Sequence, residues 1–171
     1  MSRKIEASIK RSDWPGTRRL VRAALRKNPE SHWLVSRLSL TYYEEQDYAR
    51  SLILSQRAFD LAPDCPLVLW DLAGTFDLLE RYKEAMAIYR RLLRRGVKAV
   101  AFDDCGEGIP WARGLLADCW YRLACCQKKQ GRRVRAIQCF EKHLALRGPG
   151  CRSIYRLRDV RRELALTVTP K

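Results

Sequence analysis

The sequence predicts an all-α fold of paired helices that repeat along the chain. Two observations predict it. First, residues 66–96 hold two back-to-back apolar sets with helical spacing. Leu69, Leu72, Ala73 and Phe76 form one; Ala85, Ile88, Tyr89, Leu92 and Leu93 form the other. Residues three and four apart share a helix face. Second, the pattern recurs. Leu38, Tyr42, Tyr48, Ala58 and Pro63 lie 34 positions before Leu72, Phe76, Tyr82, Leu92 and Val97. A lone pair of amphipathic helices cannot cover its apolar face, so stacked copies are the expected solution.

Taken in order, residues 1–12 read as a short helix with Ile5 and Ile9 inward. Asp13 is a plausible N-cap, and Pro15 suits the first turn of the next helix, where its missing N–H costs little. That helix turns Leu20, Val21, Ala24 and Leu25 inward, and Asn28-Pro29 stops it. Ser31 caps a helix over 33–45, and its partner covers 47–61. The central pair follows, with small Ala73 and Ala85 allowing close approach and Phe76 and Tyr89 filling the space between.

The pattern lapses over 97–108, VKAVAFDDCGEG, which clusters acids and glycines. It resumes with Trp120, Leu123, Ala124, Gly131, Ala136, Phe140 and Leu144. Ala136 answers Ala85 at an offset of 51, which is one period of 34 plus an insertion of 17. Pro110 opens a long helix over 109–129, and residues 132–146 form its partner. Gly148-Pro149-Gly150 is a strong breaker. Ile154, Leu157, Val160 and Leu164 then mark a last amphipathic helix whose charged outer face suits a terminal cap.

A 34-residue helix-turn-helix period with this small/large alternation resembles the tetratricopeptide repeat. The resemblance implies a right-handed α-α superhelix of about four helix pairs plus a C-terminal capping helix. It reads as one domain: repeats at about 1–31, 32–65, 66–99 and 117–150, an insertion at about 100–116, and a cap at 151–166. The helix-A glycine of the family is replaced by Ser39, Ala73 and Ala124, and its turn glycine survives only as Gly131.

Composition bounds the function. The chain of 171 residues is 47% hydrophobic and 31% charged, which fits a globular domain. No apolar run approaches the ~20 residues of a membrane span. The charged start lacks the apolar core of a signal peptide. Seven cysteines, mostly within helical patterns, suggest a reducing, cytoplasmic compartment. The net charge of +15 is uneven. Basic residues outnumber acidic ones nine to two over 1–27 and fourteen to three over 120–171, but eleven face fourteen over 28–119. Such a field raises the local concentration of anions.

No constellation defines a catalytic mechanism. His32 and His143 are the only histidines, and neither keeps a recognisable spacing to a nucleophile. Cys139 and His143 share a helix face opposite Cys119, Cys125 and Cys126, but no CxxC pair exists, so neither metal nor cofactor is expected. His143 reads as a packed, hydrogen-bonded core residue. Around Cys105, the acids Asp103, Asp104 and Glu107 argue against a phosphate loop and a reactive thiol.

The resemblance instead implies a concave groove lined by the first helix of each repeat. Carried onto this chain, its positions are Trp33, Ser36, Leu40 and Tyr43; Leu67, Trp70, Gly74 and Asp77; and Asp118, Tyr121, Cys125 and Lys128. Arg37, Asp71 and Arg122 fall at its margin. Aromatic anchors among charges suit a peptide or helix partner. The paired Lys, Asn and Arg that grip a C-terminal carboxylate in one subclass are missing here. The expected function is therefore a non-catalytic protein–protein interaction module, an adaptor, scaffold or chaperone-like binder. Nucleic-acid (RNA) binding through the basic ends is the alternative, carried by Arg132, Arg133, Arg135, Arg156, Arg158, Arg161 and Arg162.

Overall fold

The computed structural model describes residues 1–169, and within them every regular element is a helix. Two compact units divide the chain, Met1–Arg81 and Tyr82–Lys171. The first holds α1 (Ser2–Lys10), α2 (Trp14–Leu25), α3 (His32–Glu44), α4 (Tyr48–Leu61) and α5 (Pro66–Leu78). The second holds α6 (Tyr82–Ala101), α7 (Ile109–Lys129), α8 (Arg133–Leu146) and α9 (Leu157–Val168). No helix among the described residues is long and apolar enough to cross a membrane.

The repeat is written into the turns. Ser12, Gln46, Glu80 and Gly131 all adopt positive φ, at 55°, 62°, 59° and 71°. Their spacing is 34, 34 and 51 residues, the same offsets as the apolar pattern. After each one an amide N–H closes on the carbonyl five positions earlier: Asp13 to the Ser8 carbonyl at 3.1 Å, and Asp47 to Tyr42, Arg81 to Phe76 and Arg132 to Gln127, each at 2.9 Å. This is the Schellman closure, which satisfies the orphan carbonyls of a helix end. Three of the four positions hold it without glycine, although a Cβ makes the left-handed region costly.

Capping at the helix starts follows the sequence. Asp13 accepts from the Gly16 N–H at 2.9 Å, Ser31 from Leu34 at 3.3 Å and Asp47 from Arg50 at 3.1 Å. Pro15, Pro66 and Pro110 sit in first turns, where no N–H is needed.

The first unit closes on Ile5, Val21, Ala24, Leu34 and Leu38, with Trp33 and Tyr42 packed against them. Where α3, α4 and α5 meet, hydroxyls replace apolar bulk. Ser39 Oγ lies 2.7 Å from Ser55 Oγ and donates to the Ser51 carbonyl at 2.9 Å. Ser51 and Thr75 meet at 3.3 Å, and Thr75 donates to the Asp71 carbonyl at 2.9 Å. A small hydroxyl at 39 thus permits close approach of the helices while keeping its polar atom paired.

In the second unit Tyr89, Leu92, Leu123, Phe140 and Val160 are fully buried. Gly96, at φ 76° and ψ 167°, breaks α6. Residues 97–101 then continue as a short helical piece that buries Val100 and Ala101, where the sequence pattern alone suggested a lapse. Asp103 organises the turn that follows. It takes Arg95 at 2.8 Å and the Cys105 N–H at 3.0 Å, and its carbonyl accepts from the Gly106 N–H at 2.7 Å. The rest of the insertion extends α7 backwards to Ile109.

Candidate partner-binding faces

In the first unit, α3 and α5 lie side by side, close enough that a Cβ on Gly74 would sit 3.8 Å from the Tyr43 hydroxyl. Trp33, Arg37, Leu40, Tyr43, Leu67, Trp70 and Asp71 are half-buried, and so keep surface for a partner. Ser36, Gly74 and Asp77 are buried, which leaves them no such surface. Trp33 has a double attachment: its ring packs on the core cluster, and the Arg37 guanidinium lies 5.2 Å from the ring centroid. Arg37 also donates from Nε to Glu6 of α1 at 2.8 Å. Asp71 faces the same guanidinium. Desolvation nevertheless lifts its pKa to about 7, against the pull of Arg37. The Arg37–Glu6 ion pair and the Asp71 carboxyl thus lie across three helices beside the aromatic rings.

In the second unit, α7 carries the predicted Asp118, Tyr121, Arg122, Cys125 and Lys128. Three of these are engaged by the chain's own C-terminal part, so the expectation of an open face on α7 is corrected. After α8 the chain turns at Gly148–Gly150, with Gly150 at φ 74°, and the Cys151 N–H closes on Gly148 at 3.1 Å. Residues 152–155 then run without helix along α7 as a strap. The Arg152 N–H donates to the Pro110 carbonyl at 3.1 Å. The backbone at 152–153 passes directly over Gly114. The Ser153 hydroxyl donates to Asp118 Oδ1, and the Ile154 N–H donates to Oδ2 at 3.0 Å. Tyr155 stacks on Tyr121, with ring centroids 3.9 Å apart and planes inclined by 26°. Positions 110, 114, 118 and 121 form one stripe on the helix, and the strap follows it.

Burial raises Asp118 to about 6, opposed by the Ser153 and Ile154 hydrogen bonds and by Arg147 and Arg122. Burial also pushes Tyr121 up to about 12. Arg147 fixes the end of the strap by donating to the Tyr155 carbonyl at 2.7 Å. From α8, Phe140 and His143 approach Tyr121 edge-on, at 5.7 and 5.9 Å between centroids. His143 is fully buried, and its Nδ1 lies 2.8 Å from the Ala117 carbonyl. Further along, Lys128 pairs with Glu163 of α9 at 2.9 Å, and Arg133 donates to the Thr167 carbonyl at 2.6 Å. Cys125 and Arg122 are half-buried.

Gly114, Ser153 and Tyr155 were not singled out by the sequence. Gly114 did carry a signal, because a glycine inside a long helical pattern costs stability and so calls for a packing reason. Ser153 and Tyr155 carried none.

Residues 119–159 match the family model described as Tetratricopeptide repeat, a span that includes the strap. No curated protein sequence matches the chain. Among solved structures, a crystal structure of MamA aligns with a TM-score of 0.68 at 16% identity, covering 95% of this chain and 81% of that one. MamA from Desulfovibrio magneticus RS-1, residues 41 to the end, gives 0.64 at 13%, covering 85% and 72%. YrrB, a TPR protein with an unusual peptide-binding site, gives 0.62 at 15%, covering 86% and 64%. At these identities the likeness is one of fold. It joins the helix-end closures and the matched repeat in a single account of the architecture, the α-α solenoid.

Proposed function

We propose that this chain, a tetratricopeptide-repeat protein, is a non-catalytic protein–protein interaction module, an adaptor, scaffold or chaperone-like binder. One observation carries the reading. Across α3 and α5 the half-buried Trp33, Tyr43 and Trp70 share a face with the Arg37 guanidinium and the Asp71 carboxyl. Rings that keep one surface for a partner, next to a charged guanidinium and a polar carboxyl, are the usual anchors of peptide and helix recognition. The unusual peptide-binding site of YrrB supports a peptide as the partner class. The groove residues of the first unit are then Trp33, Arg37, Leu40, Tyr43, Leu67, Trp70 and Asp71, with Ser36, Gly74 and Asp77 shaping the backbone beneath.

The test is Trp70→Ala. A partner protein captured from native lysate and identified by mass spectrometry should lose about 2 kcal/mol or more of affinity, roughly 30-fold. The helical melt should persist. If the variant unfolds, Trp70 belongs to the core; if it folds and binds as before, recognition lies elsewhere. A second reading, nucleic-acid binding, is supported by the exposed Arg132, Arg135, Arg156, Arg158, Arg161 and Arg162.

A further inference from the structure

We propose that α7 carries a binding face for turn-forming peptides of the pattern hydroxyl–x–aromatic, and that Ser-Ile-Tyr at 153–155 is its resident occupant. The proposal rests on the interaction-module reading and names a ligand class for the second unit.

The strap makes the contacts of a bound peptide. One carboxylate, Asp118, takes both a side-chain hydroxyl and the next backbone N–H. One ring, Tyr121, takes the aromatic two residues after the hydroxyl residue. A guanidinium, Arg147, holds the backbone carbonyl at the end. Gly114, bare of a Cβ, lets the backbone lie directly on the helix. The segment bends at 154–155, where the Tyr155 N–H donates back to Ser153 Oγ at 3.2 Å, and this turn delivers both the hydroxyl and the ring to α7.

A segment held only by burial would turn its apolar residue inward. Here Ser153 and Tyr155 face α7, while Ile154 between them is 70% exposed. Specificity therefore sits in polar and ring contacts that another chain's peptide can reproduce. The flanks permit exchange. Gly148-Pro149-Gly150 separates the strap from α8. Past the strap, α9 keeps its own attachments through buried Val160, the Lys128–Glu163 pair and Arg133 on Thr167.

The experiment uses the full chain and a fluorescein-labelled peptide copying residues 152–157, with a scrambled peptide as control. Ser153→Ala with Tyr155→Ala weakens the resident strap and leaves α7 untouched. This double variant should bind the copied peptide at least tenfold more tightly than the parent does. Adding Asp118→Asn should return binding to the level of the scrambled peptide. Equal binding of copied and scrambled peptides overturns the proposal, as does binding indifferent to Asp118→Asn. A second measurement needs no substitution. With the unmodified chain, excess copied peptide should speed hydrogen exchange at the Ile154 amide at least fivefold, because the competitor takes its acceptor. Unchanged exchange also overturns the proposal. Failure here with Trp70-dependent partner binding intact removes this proposal alone; failure of both removes the interaction-module reading.

Discussion

Gly114→Ala sets two physical effects of opposite sign against each other. Gly114 lies inside α7, and replacing an interior helical glycine by alanine gains about 1 kcal/mol of backbone entropy and helix propensity. The strap reverses the sign. A Cβ at 114 would fall 2.1 Å from the Arg152 carbonyl oxygen, 2.3 Å from its carbon and 2.9 Å from the Ser153 nitrogen. All three are backbone atoms and cannot rotate away, so the strap must lift. Lifting strains or breaks Arg152 N–H to Pro110 and the two hydrogen bonds to Asp118. A neutral hydrogen bond contributes about 1 kcal/mol and one to a charged group about 1.5–3. With these bonds weakened rather than all broken, and against the propensity gain, a net loss of about 2–4 kcal/mol follows. For a chain of this length that corresponds to a melting-temperature drop of roughly 5–15 °C. Urea and thermal melts by far-ultraviolet circular dichroism measure it, and hydrogen exchange should localise the loss to 152–155. A variant as stable as the parent, or more so, would refute the seating of the strap on α7.

Other outcomes test other parts of the molecule. Asp71 holds its proton to about pH 7, well above the ordinary carboxylate value, so the stability that this proton contributes is complete below about pH 4 and lost as pH rises through 7. Asp71→Asn should therefore match the parent at pH 4 and exceed its stability at pH 8; identical pH profiles would contradict the desolvated carboxyl. Glu80→Gly, at φ 59°, should relieve left-handed strain and stabilise by about 0.5–1 kcal/mol, with a similar gain for Gln46→Gly at φ 62°. Destabilisation of both would mean that those side chains support the turn. If the basic ends bind RNA, log affinity should fall with log salt at about −0.7 per neutralised phosphate, and Ala at Arg158, Arg161 and Arg162 should flatten that slope. Indifference to salt excludes the reading.

The repeat was legible because its signal is redundant. Apolar spacing, prolines and caps recur together, so Asp13 and Ser31 could be read as caps from local sequence. The left-handed residues were not legible, since Ser12, Gln46 and Glu80 are not glycine and nothing local demands positive φ. The Schellman closure at each of these helix ends imposes it, and side-chain type does not announce it. The short helix at 97–101 was hidden because Gly96 breaks the phase of its parent helix. The groove assignment could not show what covers α7: Asp118 and Tyr121 meet residues 35 and 34 positions later in the chain. Ile154 was read onto the apolar face of the last helix, yet it precedes α9 and faces outward.

Pro110 and Gly114 have a bearing on how this chain can change over time. Both lie in the 17-residue insertion, and both hold the strap, one through its carbonyl and the other through its missing side chain. A relative at strict 34-residue spacing would begin this helix near 117. It would keep Asp118 and Tyr121 but offer the strap neither an acceptor for Arg152 nor a place for its backbone to lie. The insertion and the strap, more than thirty residues apart and each an apparent irregularity, are physically one unit. Sequences that lose the first should replace Ser153 and Tyr155 without penalty, and sequences that keep it should hold a glycine at 114.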